Sequence, residues 1–131
     1  MVLGYLVSRG GQVNSITITV PCTPPSVNTY VRHTRRGGHY KTDAVKQFEA
    51  EMQVACIGKR LKAKQYEVQL DVYFGPGERK DTDNLAKIPI DCLAQNGVFA
   101  GQTDSTVKRI VVEKYTDQRD KPRTEIRITA L

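Results

Sequence analysis

A chain of 131 residues is long enough for one folded domain and too short for two independent hydrophobic cores. Hydrophobic residues (39%) and charged residues (26%) occur in the proportions usual for a soluble globular protein. No apolar run approaches the roughly 20 residues that cross a bilayer, so no membrane partner is expected. Twenty basic and fourteen acidic side chains give a net charge of +6, which favours a polyanionic partner such as a nucleic acid.

Cysteine and histidine are too few and too scattered for a disulfide framework or a zinc site. The three cysteines, Cys22, Cys56 and Cys92, are odd in number and lack C-x-x-C spacing, which indicates a reducing compartment. The first nine residues lack the basic start and long apolar stretch of a secretory signal, so a cytoplasmic location is expected. Only two histidines are present, His33 and His39, so a histidine-rich metal cluster is excluded.

Two strands and one helix are predicted in the first half of the chain, after an irregular stretch of residues 1–14. Apolar and hydroxyl side chains alternate over Ser15–Val20, which is typical of a strand. Prolines then begin a long loop, rich in arginine and glycine, that continues to Tyr40. Thr42 is placed to cap a helix that Gly58 would end. The apolar positions of this helix are Val45, Phe48, Met52 and Ala55. A stricter alternation then predicts a second strand over residues 66–74.

A second helix, ending near Asn96, is predicted from an apolar stripe with helical spacing. The stripe consists of Leu85, Ile88, Cys92 and Leu93. Two starting points are consistent with the sequence. Asp83 or Asn84 could cap the helix, or the regular helix could begin nearer Lys87, because Pro89 is unfavourable in a helix interior.

Two further strands are predicted near the end of the chain, over Val107–Tyr115 and residues 124–130. The connection over residues 116–123 is rich in charged side chains and contains a proline, so it is predicted to be a hairpin turn. The resulting order β-α-β-α-β-β indicates one α+β domain, with a mixed sheet and two helices packed on it.

The most informative segment is a pair of acidic residues followed by a lysine. Asp81 and Asp83 stand two residues apart, and Lys87 and Asp91 share a helix face at i,i+4 spacing. Two neighbouring carboxylates are costly to bury unless a positive charge neutralises them, and Mg²⁺ prefers such oxygen ligands. The segment therefore suggests metal-dependent hydrolysis of a phosphodiester. A solvated turn beside an ordinary surface ion pair would produce the same spacing.

Cleavage of a phosphodiester requires metal ions that polarise a phosphoryl oxygen, and often a cation that offsets charge on the leaving oxygen. Asp104 follows the second helix, and the chain can fold back there towards Asp81 and Asp83. Lys87 is a compact point charge on a flexible stem, which suits a backbone phosphate or the leaving oxygen.

Two basic segments are candidates for contact with nucleic acid. The first is the loop over residues 32–39, which is our main candidate for DNA binding. Its candidate contacts are Arg32, His33, Arg35 and Arg36. Tyr30 and Tyr40 flank this loop and could stack on bases or pack in the protein. The second segment, residues 59–64, is either a solvated connection or a direct nucleic-acid contact.

Three sequence motifs follow one another along the chain. The first is Pro-Pro-Ser-Val-Asn from Pro24, followed by Tyr30 and the basic loop. The second is Asp-x-Asp-Asn-Leu-x-Lys-x-x-x-Asp-x-Leu from Asp81, and the third is Asn-Gly-Val followed by Asp-Ser-x-Val at Asp104. In this order they resemble the RusA family of Holliday junction resolvases, and the resemblance covers residues 15–131 as one endonuclease domain.

The resemblance implies a small homodimeric endonuclease, encoded by a bacterium, phage or prophage, that requires Mg²⁺, with Mn²⁺ as a substitute. Such an enzyme binds four-way junction DNA and nicks two strands symmetrically during DNA recombination and repair. The resemblance assigns the family's essential acids to Asp81, Asp83 and Asp104. It assigns the catalytic lysine, which also contacts DNA, to Lys87, and a further acid to Asp91.

Two features depart from the family pattern. Relatives often carry a paired acid where this chain has Gly-Gln-Thr before Asp104, so a fourth metal ligand is either missing or supplied by Asp91. Residues 1–14 precede the usual start of the family and are expected to be an N-terminal extension, a fusion remnant or the result of a misassigned start codon.

Two other functions remain open at the level of sequence. One is a nuclease with the same chemistry that acts on flaps or other branched DNA. The other is a nucleic-acid-binding protein without catalysis, in which the acids only balance the basic surface.

Overall fold

The computed structural model describes residues 14–25, 31–33, 39–75, 85–116 and 121–131, with the backbone alone described at 31–33 and 39–41. These residues form six strands and two α-helices. In chain order they are β1 (Ser15–Val20), β2 (Val31–His33), β3 (His39–Lys41), α1 (Asp43–Ala55), β4 (Tyr66–Tyr73), α2 (Lys87–Gln95), β5 (Val107–Tyr115) and β6 (Arg123–Ala130). A 3₁₀ turn, Asp104–Thr106, leads into β5. The predicted extension over residues 1–14 lies outside the described residues, apart from its last residue.

Four strands form one mixed sheet in the order β1-β6-β4-β5. β4 pairs with β5 in parallel and with β6 antiparallel, and β1 pairs with β6 antiparallel. The parallel pair requires a crossover connection, which α2 provides. The predicted α+β domain, with its order β-α-β-α-β-β and two helices on a mixed sheet, is therefore confirmed.

The predicted hairpin between the last two strands is wrong, because β4 lies between β5 and β6. The strand register explains why β6 pairs with β4. Ile126 and Ile128 of β6 lie opposite Leu70 and Val68 of β4. Cross-strand apolar pairs stabilise a sheet. β4 has the most regular apolar alternation in the chain, so it takes a central position with a partner on each edge. The polar connection over residues 116–123 indicates that the chain reverses direction. It does not indicate that the two strands it joins are hydrogen-bonded to each other.

Both helices cover one face of this sheet, and that side contains the hydrophobic core. On β4 the buried side chains alternate with half-buried ones, as the sequence predicted. The core residues of the two helices are Val45, Phe48, Met52, Ile88, Ile90, Cys92 and Leu93. The opposite face is polar: Arg109 pairs with Glu67 at 3.0 Å, and Arg127 donates to Gln69 at 3.0 Å.

Part of the predicted long basic loop forms a two-stranded antiparallel ribbon, β2 and β3. Arg32 stands opposite Tyr40, and His33 stands opposite His39. The loop prediction is therefore wrong at residues 31–33, 39 and 40. Three-residue strands are too short to show a reliable period of two in the sequence.

Helix α2 begins at Lys87, the later of the two predicted starting points. Pro89 is the third residue of the helix, where a backbone N–H has no partner inside the helix, so proline removes no hydrogen bond. The first helical bond, of 3.1 Å, runs from the N–H of Ile90 to the carbonyl of Ala86. Pro89 therefore defines where this helix starts without kinking it.

The end of α2 turns the chain sharply towards β5. Gly97 has a φ of +75°, which favours glycine because other side chains are strained there. The N–H of Gly97 bonds the carbonyl of Ala94 at 3.2 Å, and the N–H of Val98 bonds that of Leu93 at 3.0 Å. This pair of bonds is the Schellman motif, which satisfies the last carbonyls of a helix. It directs the following segment back along the helix.

None of the three cysteines forms a disulfide bond. Cys56 and Cys92 are buried among apolar side chains, as expected of small hydrophobic residues. Burial raises the pKa of the Cys56 thiol to about 11, so it stays protonated at neutral pH. In the described parts of the chain, no helix has the length and apolar character needed to span a bilayer.

Candidate active site

Lys87 and Asp91 lie one turn apart on α2, as their spacing predicted. The Lys87 Nζ is 3.4 Å from the Asp91 Oδ2. The lysine side chain is 60% exposed and the aspartate side chain 26% exposed, so the pair stands at the protein surface. An exposed i,i+4 pair of this kind stabilises a helix by only about 0.3–0.5 kcal/mol.

The position of Lys87 opposes the electrostatics of its own helix. It is the first residue of α2, where the helix dipole places partial positive charge and favours acidic side chains. Pairing a lysine with an acid four residues later is also the less favourable orientation of such a pair. Helix stability therefore does not account for a lysine here. The ammonium group of Lys87 and the N-terminal end of the helix dipole instead give this end of α2 a local positive charge.

Asp104 begins the 3₁₀ turn that follows the loop after α2, and its side chain is exposed. The turn is held by Thr106, whose N–H and hydroxyl both donate to the carbonyl of Thr103, at 3.2 and 2.8 Å. The hydroxyls of Thr103 and Ser105 lie 2.6 Å apart. These local bonds fix the backbone that carries Asp104.

Asp91 and Asp104 line the same two cavities. One cavity, of about 300 Å³, is also lined by Lys87 of α2 and by Ile110 of β5. The other, of about 360 Å³, is also lined by Gln102 of the connecting loop. The fold therefore places three charged side chains around one cavity: Lys87 from the start of α2, Asp91 from its next turn and Asp104 from the segment after the helix.

An apolar wall stands beside these charged groups in the first cavity. Ile90, Val107 and Ile110 line it, and Ile110 is 49% exposed although it is a large hydrophobic residue. The sequence gives no signal for this arrangement, because the alternation of β5 does not indicate which side chains α2 leaves uncovered.

Asp81 and Asp83, the two acids of the predicted metal site, lie outside the described residues. Within the described ranges, no group of three His, Cys, Asp or Glu side chains is placed to hold a metal ion. Asp91 and Asp104 supply two carboxylates to one cavity, which Thr103 also lines. An all-oxygen set of this kind fits a hard cation such as Mg²⁺ and not a thiolate-bound metal.

The predicted DNA contacts fall on the ribbon and on the segment that joins its strands. The backbone of Arg32 and His33 belongs to β2. Arg35 and Arg36 lie outside the described residues. These four assignments stay predictions.

Comparison with known protein families gives one match that covers most of the chain. The family model described as Endodeoxyribonuclease RusA matches residues 21–129. No curated protein matches the chain. The matched range contains the ribbon, both helices, and the cavity lined by Lys87, Asp91 and Asp104. The chain therefore belongs to the RusA family of endodeoxyribonucleases.

Proposed function

We propose that this protein is a metal-dependent endodeoxyribonuclease that resolves Holliday junctions by paired, symmetric nicks. The observation that carries this proposal is the shared cavity of Lys87, Asp91 and Asp104 in a chain of this family. Phosphodiester hydrolysis needs a cation for the phosphate and carboxylates for a metal, and the cavity supplies both.

Asp81, Asp83 and Asp104 are the proposed metal ligands, with Asp91 as the fourth. Mg²⁺ is the proposed ion, with Mn²⁺ as a substitute, and when bound it would polarise a phosphoryl oxygen and activate water. Lys87 binds the phosphate and offsets the charge that develops on the leaving oxygen. Among the described residues, its exposed side chain contacts the Asp91 carboxylate at 3.4 Å, a long ion pair that it can exchange for a phosphate.

DNA binding is assigned to the basic surface of the protein. A net charge of +6 supports fast, salt-sensitive association with DNA. The proposed contacts are Lys87 and the predicted residues of the basic loop, namely Arg32, His33, Arg35 and Arg36. The proposed endonuclease domain covers residues 15–131, with 1–14 as an extension, and it would act in DNA recombination and repair in the bacterial cytoplasm.

A cleavage assay tests this function directly. Purified protein is mixed with an immobile four-way junction in Mg²⁺ or Mn²⁺, and the strands are analysed on a denaturing gel. Paired nicks at symmetric positions are expected, and none in chelator. Flap, Y-shaped and linear duplex substrates are compared in parallel. Preferential cutting of a flap would favour the nuclease for other branched DNA, and binding without cutting in either metal would favour the non-catalytic protein.

The protein is also expected to be a homodimer in solution. A junction resolved by two symmetric nicks presents two equivalent phosphates, whereas the chain carries one candidate active site. A two-fold dimer supplies the second site through an isologous interface. Analytical ultracentrifugation at the protein concentration of the cleavage assay measures the mass. A monomer that still makes paired nicks would contradict this expectation.

A further inference from the structure

A strongly basic linker joins α1 to β4. The basic linker, residues 59–64, has the sequence Lys-Arg-Leu-Lys-Ala-Lys, and no acidic residue occurs anywhere in residues 52–66. Arg60, Lys62 and Lys64 are exposed, and within the described parts of the chain these three side chains form no ion pair. Like charges this close repel one another, so the arrangement is stabilised when an anion lies across it.

The backbone of the basic linker is held at several points, unlike that of a merely solvated connection. Ala63 is bonded at both of its backbone groups: its N–H donates to the Tyr66 hydroxyl at 3.0 Å, and its carbonyl accepts from Gln102 Nε2 at 2.6 Å. The N–H of Leu61 donates to the carbonyl of Val98 at 2.8 Å. Lys62 and Lys64, on either side of Ala63, are therefore attached to a fixed backbone.

These bonds also fix the basic linker beside the candidate active site. The hydroxyl of the buried Tyr66 contacts the carbonyls of both Leu61 and Phe99, and so joins the linker to the loop after α2. Gln102 lines the cavity of Asp91 and Asp104 while its amide donates to the linker. Gln102 and Asp104 are two residues apart, which is at most about 7 Å of chain. Lys62 and Lys64 are therefore near enough to act on the DNA that this cavity would cut.

We propose that the basic linker is a second DNA-binding surface, in which Lys62 and Lys64 bind backbone phosphates of the DNA arm that enters the active site. This proposal rests on the proposed function, because it takes junction DNA as the ligand. A fixed pair of lysines positions the arm without reading its sequence, since phosphate contacts set the register of a protein on DNA.

The test compares two double variants that remove the same charge. Lys62→Gln/Lys64→Gln changes the basic linker. Arg109→Gln/Arg127→Gln removes two cations from the opposite face of the sheet. Binding to a four-way junction is measured in chelator by fluorescence anisotropy over a series of salt concentrations, and circular dichroism checks that both variants are folded.

Lys62→Gln/Lys64→Gln is expected to bind the junction roughly tenfold more weakly than the wild type at about 0.1 M salt. The slope of log affinity against log salt concentration should be smaller in magnitude by about two, which is one unit for each lost phosphate contact. The control variant should stay close to the wild type. Equal affinities and slopes for the two variants would overturn the proposal and would leave the basic linker as a solvated connection. If the wild type shows no preference for junctions and no cleavage, the proposed function fails. The same comparison on linear duplex then still tests the linker.

Discussion

Replacing Lys87 with alanine is expected to lower the rate of junction cleavage by about 10²–10³-fold, the range typical for loss of one preorganised electrostatic contact to a transition state. Junction affinity should fall only a few-fold, because Lys87 is one of several proposed phosphate contacts on a chain with twenty basic side chains. The physical reason is the cavity that Lys87 shares with Asp91 and Asp104, where an ammonium group can stabilise the leaving oxygen. Single-turnover cleavage with enzyme in excess measures the rate, and anisotropy in chelator measures the affinity.

A purely structural role for Lys87 gives a different result. Loss of the exposed pair with Asp91 would lower the free energy of unfolding by only about 0.3–0.5 kcal/mol and would leave the rate intact. Removing a cation from the first turn of α2 would even offset part of that loss. Lys46→Ala, at an exposed position in α1, removes the same charge from a helix and is the control. A rate for Lys87→Ala that equals the rate of this control would refute the catalytic assignment. Lys87→Arg, which keeps the charge, should recover part of the activity.

The sequence predicts the strands and helices of the main sheet because their burial pattern is strongly periodic. The alternation along β4 and the apolar stripe of α2 each fit one type of secondary structure, because each element must bury one face. The order of the strands in the sheet is harder to predict from the sequence. It depends on which edge of β4 each strand occupies, and residues 116–123 are compatible with a hairpin that the sheet does not contain.

The candidate site is predictable where it depends on local spacing. Lys87 and Asp91 are one helical turn apart in sequence and in structure. The approach of Asp104 to Asp91 instead depends on tertiary contacts: the turn at Gly97 and the bond from Gln102 to Ala63. The role of Tyr66 is hidden in the sequence, because a tyrosine at the start of an apolar strand is typical of any core. Its hydroxyl becomes informative only when its partners are known.

Replacing Asp83 or Asp104 with asparagine is expected to abolish nicking in Mg²⁺ and in Mn²⁺. Each substitution keeps the size of the side chain and removes one negative charge, so a proposed metal ligand loses its affinity for a hard cation. Junction binding without metal should persist or become tighter. A carboxylate about 7 Å from a phosphate repels it by about 0.6 kcal/mol in water, which corresponds to a factor of about three in affinity. Cleavage and anisotropy assays on the same junction measure the two effects separately.

Asp71 provides the matched control, because it is an aspartate on β4 outside the candidate site. It faces the polar side of the sheet and accepts a hydrogen bond from Gln69 at 3.2 Å. Its partners on the neighbouring strands are Glu113 and Glu125, so Asp71→Asn relieves repulsion between like charges and should leave the melting temperature equal or higher. Activity of Asp71→Asn should match the wild type. Near-normal nicking by Asp104→Asn would mean that the metal lies elsewhere. Unfolding of this variant at the assay temperature would mean that the acid is structural. The contrast between Asp104, which shares its cavity with Lys87, and Asp71, which does not, therefore tests the location of the active site itself.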